Sequence, residues 1–296
     1  MANTDGLEAA TPFYVHLLQT LQAHNVPFLI GGAFSFAHFT GIRRPTKDLD
    51  LFVRQRDWCG LEKIAHDMGY RTELTFAHWL GKVHDHTGFV DVIFNSGNGL
   101  SPVDDDWFVN ACDAQVLGVQ VKLAPVEESL WTKAFIMERE RYDGADIAHL
   151  LQANAEQLDW AGLLERFGAH WRVLLVHLTL FGYIYPGEQH RVPRWLMETL
   201  LGRLTAELRQ PPAVDVHVCA GTLLSRSQYL HDVEQLGFVD GRLTPASTMT
   251  REDVAVWTEA IPPQQDETGE AACPVSPEDT KDRLTRTGPD APGNGS

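Results

Sequence analysis

The chain has 296 residues, 44% of them hydrophobic, and a formal net charge of −16. That composition fits a globular protein of one or two domains with ample core, and no apolar run approaches the ~20 residues of a membrane span. Proteins that grip long nucleic acids carry basic surfaces, so the acidity disfavours extended nucleic-acid binding and leaves small molecules, nucleotides and protein hydroxyls open as substrates.

The N-terminal stretch MANTDGLEAATPF has no basic region followed by an apolar segment, so no secretory signal is expected there. Residues 14–23 read as an amphipathic helix, with Leu17, Leu18 and Leu21 on one stripe. Residues 26–30 read as a short buried strand, 33–39 as a helix and 48–53 as a strand. Asp57 is placed to cap a helix through Met68, with Leu61, Ile64, Ala65 and Met68 at helical spacing. Strands are predicted near 70–76, 79–84 and 89–94, and the run Asn95-Ser96-Gly97-Asn98-Gly99 as a turn-rich loop. Residues 115–121, with Gly118 inside, read as a hairpin or bulged strand. Alternating strands and helices make an α/β pattern.

After Pro125 the pattern becomes helical, with apolar residues at helical intervals over 126–138 and 143–152. Two or three further helices are predicted over 160–209. In them Trp171, Leu174, Leu175, Leu178 and Phe181 form a wide apolar stripe, read as core. Residues 222–230 are amphipathic and read as a last helix. Residues 259–296 carry eight acidic and three basic side chains and almost no large apolar ones. Such a stretch cannot bury enough surface to offset its ordering entropy, so disorder is expected. Three segments follow: 1–124, a helical 125–258, and an acidic tail, 259–296.

The chemistry concentrates in GGAFSFAHFTGIRRPTKDLDLFV, residues 31–53. In a strand, alternate side chains share a face about 6–7 Å apart. Asp48 and Asp50 therefore point one way while Leu49, Leu51 and Val53 point into the core. The apolar run Phe89-Val90-Asp91-Val92-Ile93-Phe94 contains one charge, which is costly unless it is paired or binds a metal. A neighbouring position for that strand makes Asp48, Asp50 and Asp91 a three-carboxylate set suited to two Mg²⁺ ions roughly 3.5–4 Å apart. Gly31 and Gly32 permit close backbone approach, and the amides of the helix that follows attract anions. Arg43, Arg44, Thr46 and Lys47 read either as phosphate-neutralising groups or as a solvated basic loop, with Arg44 and Thr46 preferred for phosphate contact. His84-Asp85-His86 is the only tight histidine cluster. It is read as a hairpin end, because no third or fourth zinc ligand is signalled. Neither a GxSxG, a P-loop nor a Rossmann fingerprint is present. Cys59, Cys112, Cys219 and Cys273 form no CxxC pair, as expected of free thiols in a reducing cytoplasm.

The glycine pair, the Asp-hydrophobic-Asp strand and the later aspartate resemble the nucleotidyltransferase superfamily of DNA polymerase beta and the CCA-adding enzymes. Residues 31–53 are especially similar to the branch holding AbiEii-type abortive-infection toxins and many bacterial proteins. The resemblance covers residues 26–94, and more weakly 127–151. It implies a nucleotidyltransferase-type mixed sheet flanked by helices, followed by a helical region. It also implies transfer of a nucleoside monophosphate from a triphosphate such as ATP to an acceptor hydroxyl with Mg²⁺ or Mn²⁺. Asp48, Asp50 and Asp91 would be metal ligands, Asp91 also the base or its positioner, and Gly31 and Gly32 would lie against the triphosphate. The string around Pro125-Val126-Glu127-Glu128, Lys133 and Arg141–Asp146 is similar to the helical segment of AbiEii-like proteins. It implies phosphate contact for Lys133, against a reading as a solvated lysine. Asp143 is read as a helix cap and Asp146 as a partner of Arg141. The acceptor is left open among a small molecule such as an antibiotic, an RNA end and a protein hydroxyl. A second reading is a module of the same fold that binds nucleotide or a partner protein without turnover, in a toxin–antitoxin or phage-defence pair.

Overall fold

A helix 19 residues long opens the structure, α1 (Asp5–Ala23), and it starts earlier than its apolar stripe predicts. The reason lies around Pro12, which removes one intrahelical donor. Ahead of it the Thr11 hydroxyl donates to the Leu7 carbonyl at 2.8 Å, and Ala10 and Phe13 on either side are buried. Tertiary burial thus carries the helix through the proline. The computed structural model describes residues 5–209 and 217–261. Of the acidic tail 259–296, expected to be disordered, Glu259 is the last residue of a helix, and residues 262–296, Cys273 among them, lie outside the described residues.

The next elements are β1 (Leu29–Ile30), α2 (Gly32–Thr40), β2 (Leu49–Phe52) and α3 (Trp58–Asp67). Asp57 does not cap α3 with its side chain. Its carboxylate accepts from Arg54 Nε at 2.6 Å instead, and residues 55–57 form a 3-10 turn. There follow β3 (Arg71–Phe76), β4 (Leu80–Asp85), β5 (Gly88–Ile93), α4 (Asp105–Val109), β6 (Cys112–Val116) and β7 (Val119–Leu123). The 115–121 segment is the hairpin β6–β7, turned by Leu117 (φ 50°) and Gly118 (φ 82°). Two successive positive φ angles suit the right-handed twist of a hairpin.

Seven strands form one mixed sheet in the order β3-β4-β5-β2-β1-β7-β6. β2 runs parallel to β5 and β1 parallel to β7, and the remaining pairs are antiparallel. One face is closed by α1 and α3. Tyr14, Leu17, Leu18, Leu21, Leu61 and Ala65 meet Leu49, Leu51, Val83, Val90 and Val92 there, all but fully buried. Burying such side chains stabilises by about 1.5–3 kcal/mol each.

The helical part comprises α5 (Val126–Ala134), α6 (Gly144–Asn154), α7 (Trp160–Phe167), α8 (Trp171–Ile184) and α9 (Arg194–Arg209). Its core gathers Trp131, Phe135, Phe167, Trp171, Leu174 and Phe181, and Phe36 of α2 joins it from the sheet side. Leu175 packs against this core only partly buried. Beyond α9 come β8 (Val218–Cys219), α10 (Leu230–Glu234), β9 (Val239–Asp240) and α11 (Arg251–Glu259). No helix among the described residues is long and apolar enough to cross a membrane.

Residues 222–230 do not form the expected helix. A 3-10 turn covers Ala220–Leu223 and the chain then opens. The Glu138 carboxylate draws it out of helical register, accepting from the Ser225 hydroxyl (2.5 Å) and the Arg226 amide (2.7 Å). Asp143 and Asp146 also differ from expectation. Asp143 makes no side-chain cap and pairs with Lys133 and Arg141, while Asp146 pairs with Lys133 and Arg44.

A buried acid in α5 gives a measurable pH effect. Glu128 bonds Arg166 through Oε1, while its buried Oε2 has no partner among the described residues. Burial pushes its carboxyl up to about 7, outweighing Arg166, which Asp104 shares at 3.2 Å. The folded state therefore keeps a proton that the unfolded chain releases near the ordinary 4.5. Stability is lost as pH rises through that window. Glu128→Gln is expected to gain stability relative to the parent between pH 5 and pH 8, as read by denaturant unfolding at both pH values. A gap that does not change with pH would contradict this.

Candidate active site

The face of the sheet turned away from α1 and α3 carries the carboxylates, beside a patch where Trp107 of α4 packs on Leu29 and Phe52. In the parallel pair β2·β5, Leu49 lies opposite Val90, Asp50 opposite Asp91, and Leu51 opposite Val92. Strands lie about 4.8 Å apart, and partners in register share a face. The four aliphatic side chains go to the buried face, which directs Asp50 and Asp91 to the other. Asp48, two residues before Asp50, joins them at the mouth of β2. Thr46 Oγ1 donates to Asp48 Oδ1 at 2.9 Å and orients it.

Their mutual influence shows in their acidities. Burial, then Asp48 and Asp91, push the half-buried Asp50 carboxyl up to about 7, while Lys133 and Arg141 partly oppose the rise. Asp91 is raised by burial and by Asp48, against the pull of Lys82. Beneath them the fully buried Tyr14 donates its hydroxyl to the Phe89 carbonyl at 3.2 Å, with the Lys47 carbonyl at 3.4 Å. It thereby ties the entrances of β2 and β5 together. Burial and all three aspartates push its phenol up to about 12.

The glycine pair has two separate reasons. Gly31 gives its amide to the Asp50 carbonyl at 3.0 Å, and a Cβ there would come within 2.0 Å of the Phe52 ring. Gly32 has φ +55°, and its Cβ would fall 1.6 Å from Asp50 Oδ2. Only glycine admits both that backbone and that approach. α2 begins at Gly32, so the positive end of its dipole faces the Asp50 carboxylate.

The cations named from sequence are largely engaged. Arg44 bonds Asp146 and lies over the Phe36 ring, 4.3 Å from its centroid. Lys133 Nζ lies 2.8 Å from Asp146 Oδ2 and 3.0 Å from Asp143 Oδ2. Burial opposes it, yet the hydrogen bonds and charges of Lys133 and Arg44 hold Asp146 below the usual carboxylate range. Lys133 is thus pinned beside Asp50, close enough to act on its charge. Arg43 and Lys47 are exposed.

A lysine or arginine paired with Asp91 is the alternative reading of its strand, and the structure supplies that partner as Lys82, which the sequence does not single out. It is the β4 partner of Asp91, with Nζ 2.5 Å from Asp91 Oδ1 and 4.2 Å from the centroid of the Phe89 ring. Tyr14 also went unsingled, hidden in the apolar stripe of α1. Alternation within 80–85 places Lys82 on the polar face, but only the β4–β5 register brings it to Asp91. The loop 95–99 folds away onto the C-terminal segment, with Asn95 Nδ2 bonded to Thr248 Oγ1 (2.8 Å) and Ser247 Oγ donating to the Asn98 carbonyl (2.9 Å).

No protein-family model and no curated protein matches the chain. Solved structures do. The lincomycin-bound lincosamide antibiotic adenylyltransferase LnuA is 17% identical, at a TM-score of 0.35, over 47% of this chain and 94% of that one. The antibiotic-resistance factor ANT(2'')-Ia is 17% identical at a TM-score of 0.39, over 58% and 96%. An antigenic nucleotidyltransferase-like protein from Paracoccidioides brasiliensis is 14% identical at a TM-score of 0.42, over 62% and 92%.

Proposed function

We propose that the chain is a nucleotidyltransferase that moves a nucleoside monophosphate from a triphosphate to an acceptor hydroxyl. The observation that carries this reading is the in-register pair Asp50–Asp91 on one face of the sheet, with Asp48 beside it and the N-terminus of α2 against Asp50. Asp48 and Asp50 fit a hard divalent cation. They are oxygen donors on one face, and burial together with the neighbouring carboxylates raises Asp50 to about 7, a penalty that a cation would relieve. Among the described residues no three His, Cys, Asp or Glu side chains gather closely enough to hold a metal ion, and Asp91 contacts Lys82. Asp48 and Asp50 would therefore hold the ion, and Mg²⁺ or Mn²⁺ bound there would neutralise triphosphate charge.

The chain's own groups supply the rest. Asp91 bonds Lys82 through Oδ1, and its Oδ2 has no hydrogen bond among the described residues. Its raised pKa suits a general base, which works best near the operating pH. The acceptor oxygen attacks the α-phosphorus, its proton passes to Asp91 Oδ2, and the bond to the β-phosphate breaks to release pyrophosphate. Lys133, with Gly32 and the α2 amides, would meet the phosphates. The acceptor would be a small molecule, an RNA end or a protein hydroxyl.

Transfer of label from α-³²P nucleoside triphosphates, with Mg²⁺ or Mn²⁺ and acceptors of all three kinds, tests this reading. Label moves in the parent and is lost in Asp48→Ala and Asp91→Asn. Failure with every acceptor, together with nucleotide binding undiminished in Asp48→Ala, would overturn it in favour of a non-catalytic module.

A further inference from the structure

We propose that Lys82 is a built-in counter-ion for Asp91, standing where a second divalent cation would otherwise sit, so that the site takes up a single divalent cation at Asp48 and Asp50. This rests on the reading of those two aspartates as cation ligands.

Register carries the inference. Glu73 of β3 pairs with Lys82 of β4, Lys82 with Asp91 of β5, and Asp91 with Asp50 of β2. The four side chains form one row across the sheet. Lys82 is set in that row by the backbone ladder of two adjacent strands, not by a loop. Val83 and Val90, fully buried and directly opposite one another, lock the same register from the other face.

The ammonium is held at two points, 2.5 Å from Asp91 Oδ1 and over the Phe89 ring. Its side chain is 21% exposed and that of Asp91 18%, so solvent screens the pair only in part. Such a contact is stronger than an exposed ion pair. The aromatic face beneath adds attraction for a cation at that place. A dication drawn to Asp91 would meet a fixed positive charge already bonded to one of its two oxygens.

The surroundings offer Lys82 no better partner. Glu73, its β3 neighbour, is engaged by Thr75 Oγ1 (3.1 Å), Arg71 (3.4 Å) and His84 (3.5 Å). Asp48 is oriented by Thr46, and Asp50 is packed against Gly32. Lys82 also fixes which oxygen of Asp91 remains for the acceptor proton. It thus acts as a positioning residue as well as a charge.

Mn²⁺ titration of the full chain, followed by the free-ion electron paramagnetic resonance signal with an α,β-methylene triphosphate present, reads cation number without turnover. The parent is expected to bind one Mn²⁺ per chain. Lys82→Met and Lys82→Gln keep length or polarity without charge, and either one is expected to bind a second Mn²⁺ at least tenfold more tightly than the parent does. Adding Asp91→Asn should remove that second ion, and Lys82→Arg should bind one, like the parent. Two ions bound in the parent, or an unchanged count in both neutral variants, would overturn the proposal. Asp48→Asn and Asp50→Asn provide the separate control. If neither weakens the first ion, the reading of those aspartates fails, whatever Lys82 does.

Discussion

Asp50→Asn is expected to cut nucleotidyl transfer sharply and, in cation-free buffer at pH 8, to make the chain more stable. In the fold the Asp50 carboxyl titrates at about 7, against an ordinary 3.8, because burial and two neighbouring carboxylates disfavour its charged form. Between those values the folded state holds a proton that the unfolded chain has released. Stability therefore falls as pH rises through the window, and the loss is complete above pH 7. At 1.36 kcal/mol per pKa unit, the loss is at most about 4 kcal/mol. Asparagine carries no such cost, so the mutant's advantage should grow from pH 5 to pH 8 and shrink when Mg²⁺ is added to the parent. Transfer should fall by about 10²–10³-fold or more, the scale seen when one electrostatic element of a transition state is lost. Denaturant unfolding at both pH values, with and without Mg²⁺, checks the first part and label transfer the second. A stability difference independent of pH would show that neither burial nor the neighbouring carboxylates raise Asp50.

Gly32→Ala is expected to damage both fold and site. A methyl group there would lie 1.6 Å from Asp50 Oδ2, and the backbone at φ +55° is itself unfavourable for alanine. The left-handed conformation costs roughly 1–2 kcal/mol and the forced displacement roughly 1–3 kcal/mol. A loss of about 2–5 kcal/mol in unfolding free energy follows. Since the displaced atom belongs to Asp50, transfer should fall further than stability explains, with loss persisting at temperatures where the variant is fully folded. Gly118→Ala is the control. Gly118 has φ +82° but open space around its would-be Cβ, so it should lose stability alone. Equal activity in the two variants would contradict the account of Gly32.

What the sequence disclosed and what it hid follow from distance along the chain. Asp48-Leu49-Asp50 was legible because the alternation of one strand is local and its buried face is apolar. The Leu117–Gly118 hairpin was legible for the same reason. That β2 runs parallel to β5, and puts Asp50 opposite Asp91, depends on sheet order. No local pattern encodes it. Arg44 read as free for phosphate because its partner, Asp146, is 102 residues away. Lys82 looked like any outward lysine until the register of β4 against β5 was known. Residues 222–230 misled in the opposite direction. Their spacing is amphipathic, but Glu138, 87 residues from Ser225, takes hydrogen bonds that hold the segment open, and Tyr229 packs where a Cβ on Gly221 would lie.

The central claim, that Asp48 and Asp50 hold a divalent cation with a nucleotide's α-phosphate turned toward Asp91, is tested most directly by a crystal structure with Mn²⁺ and a non-hydrolysable triphosphate. The account predicts an anomalous Mn²⁺ peak between Asp48 and Asp50, phosphates along Gly32 and Lys133, and Asp91 still bonded to Lys82. Nucleotide bound away from this face, or manganese with no contact to either aspartate, would contradict it.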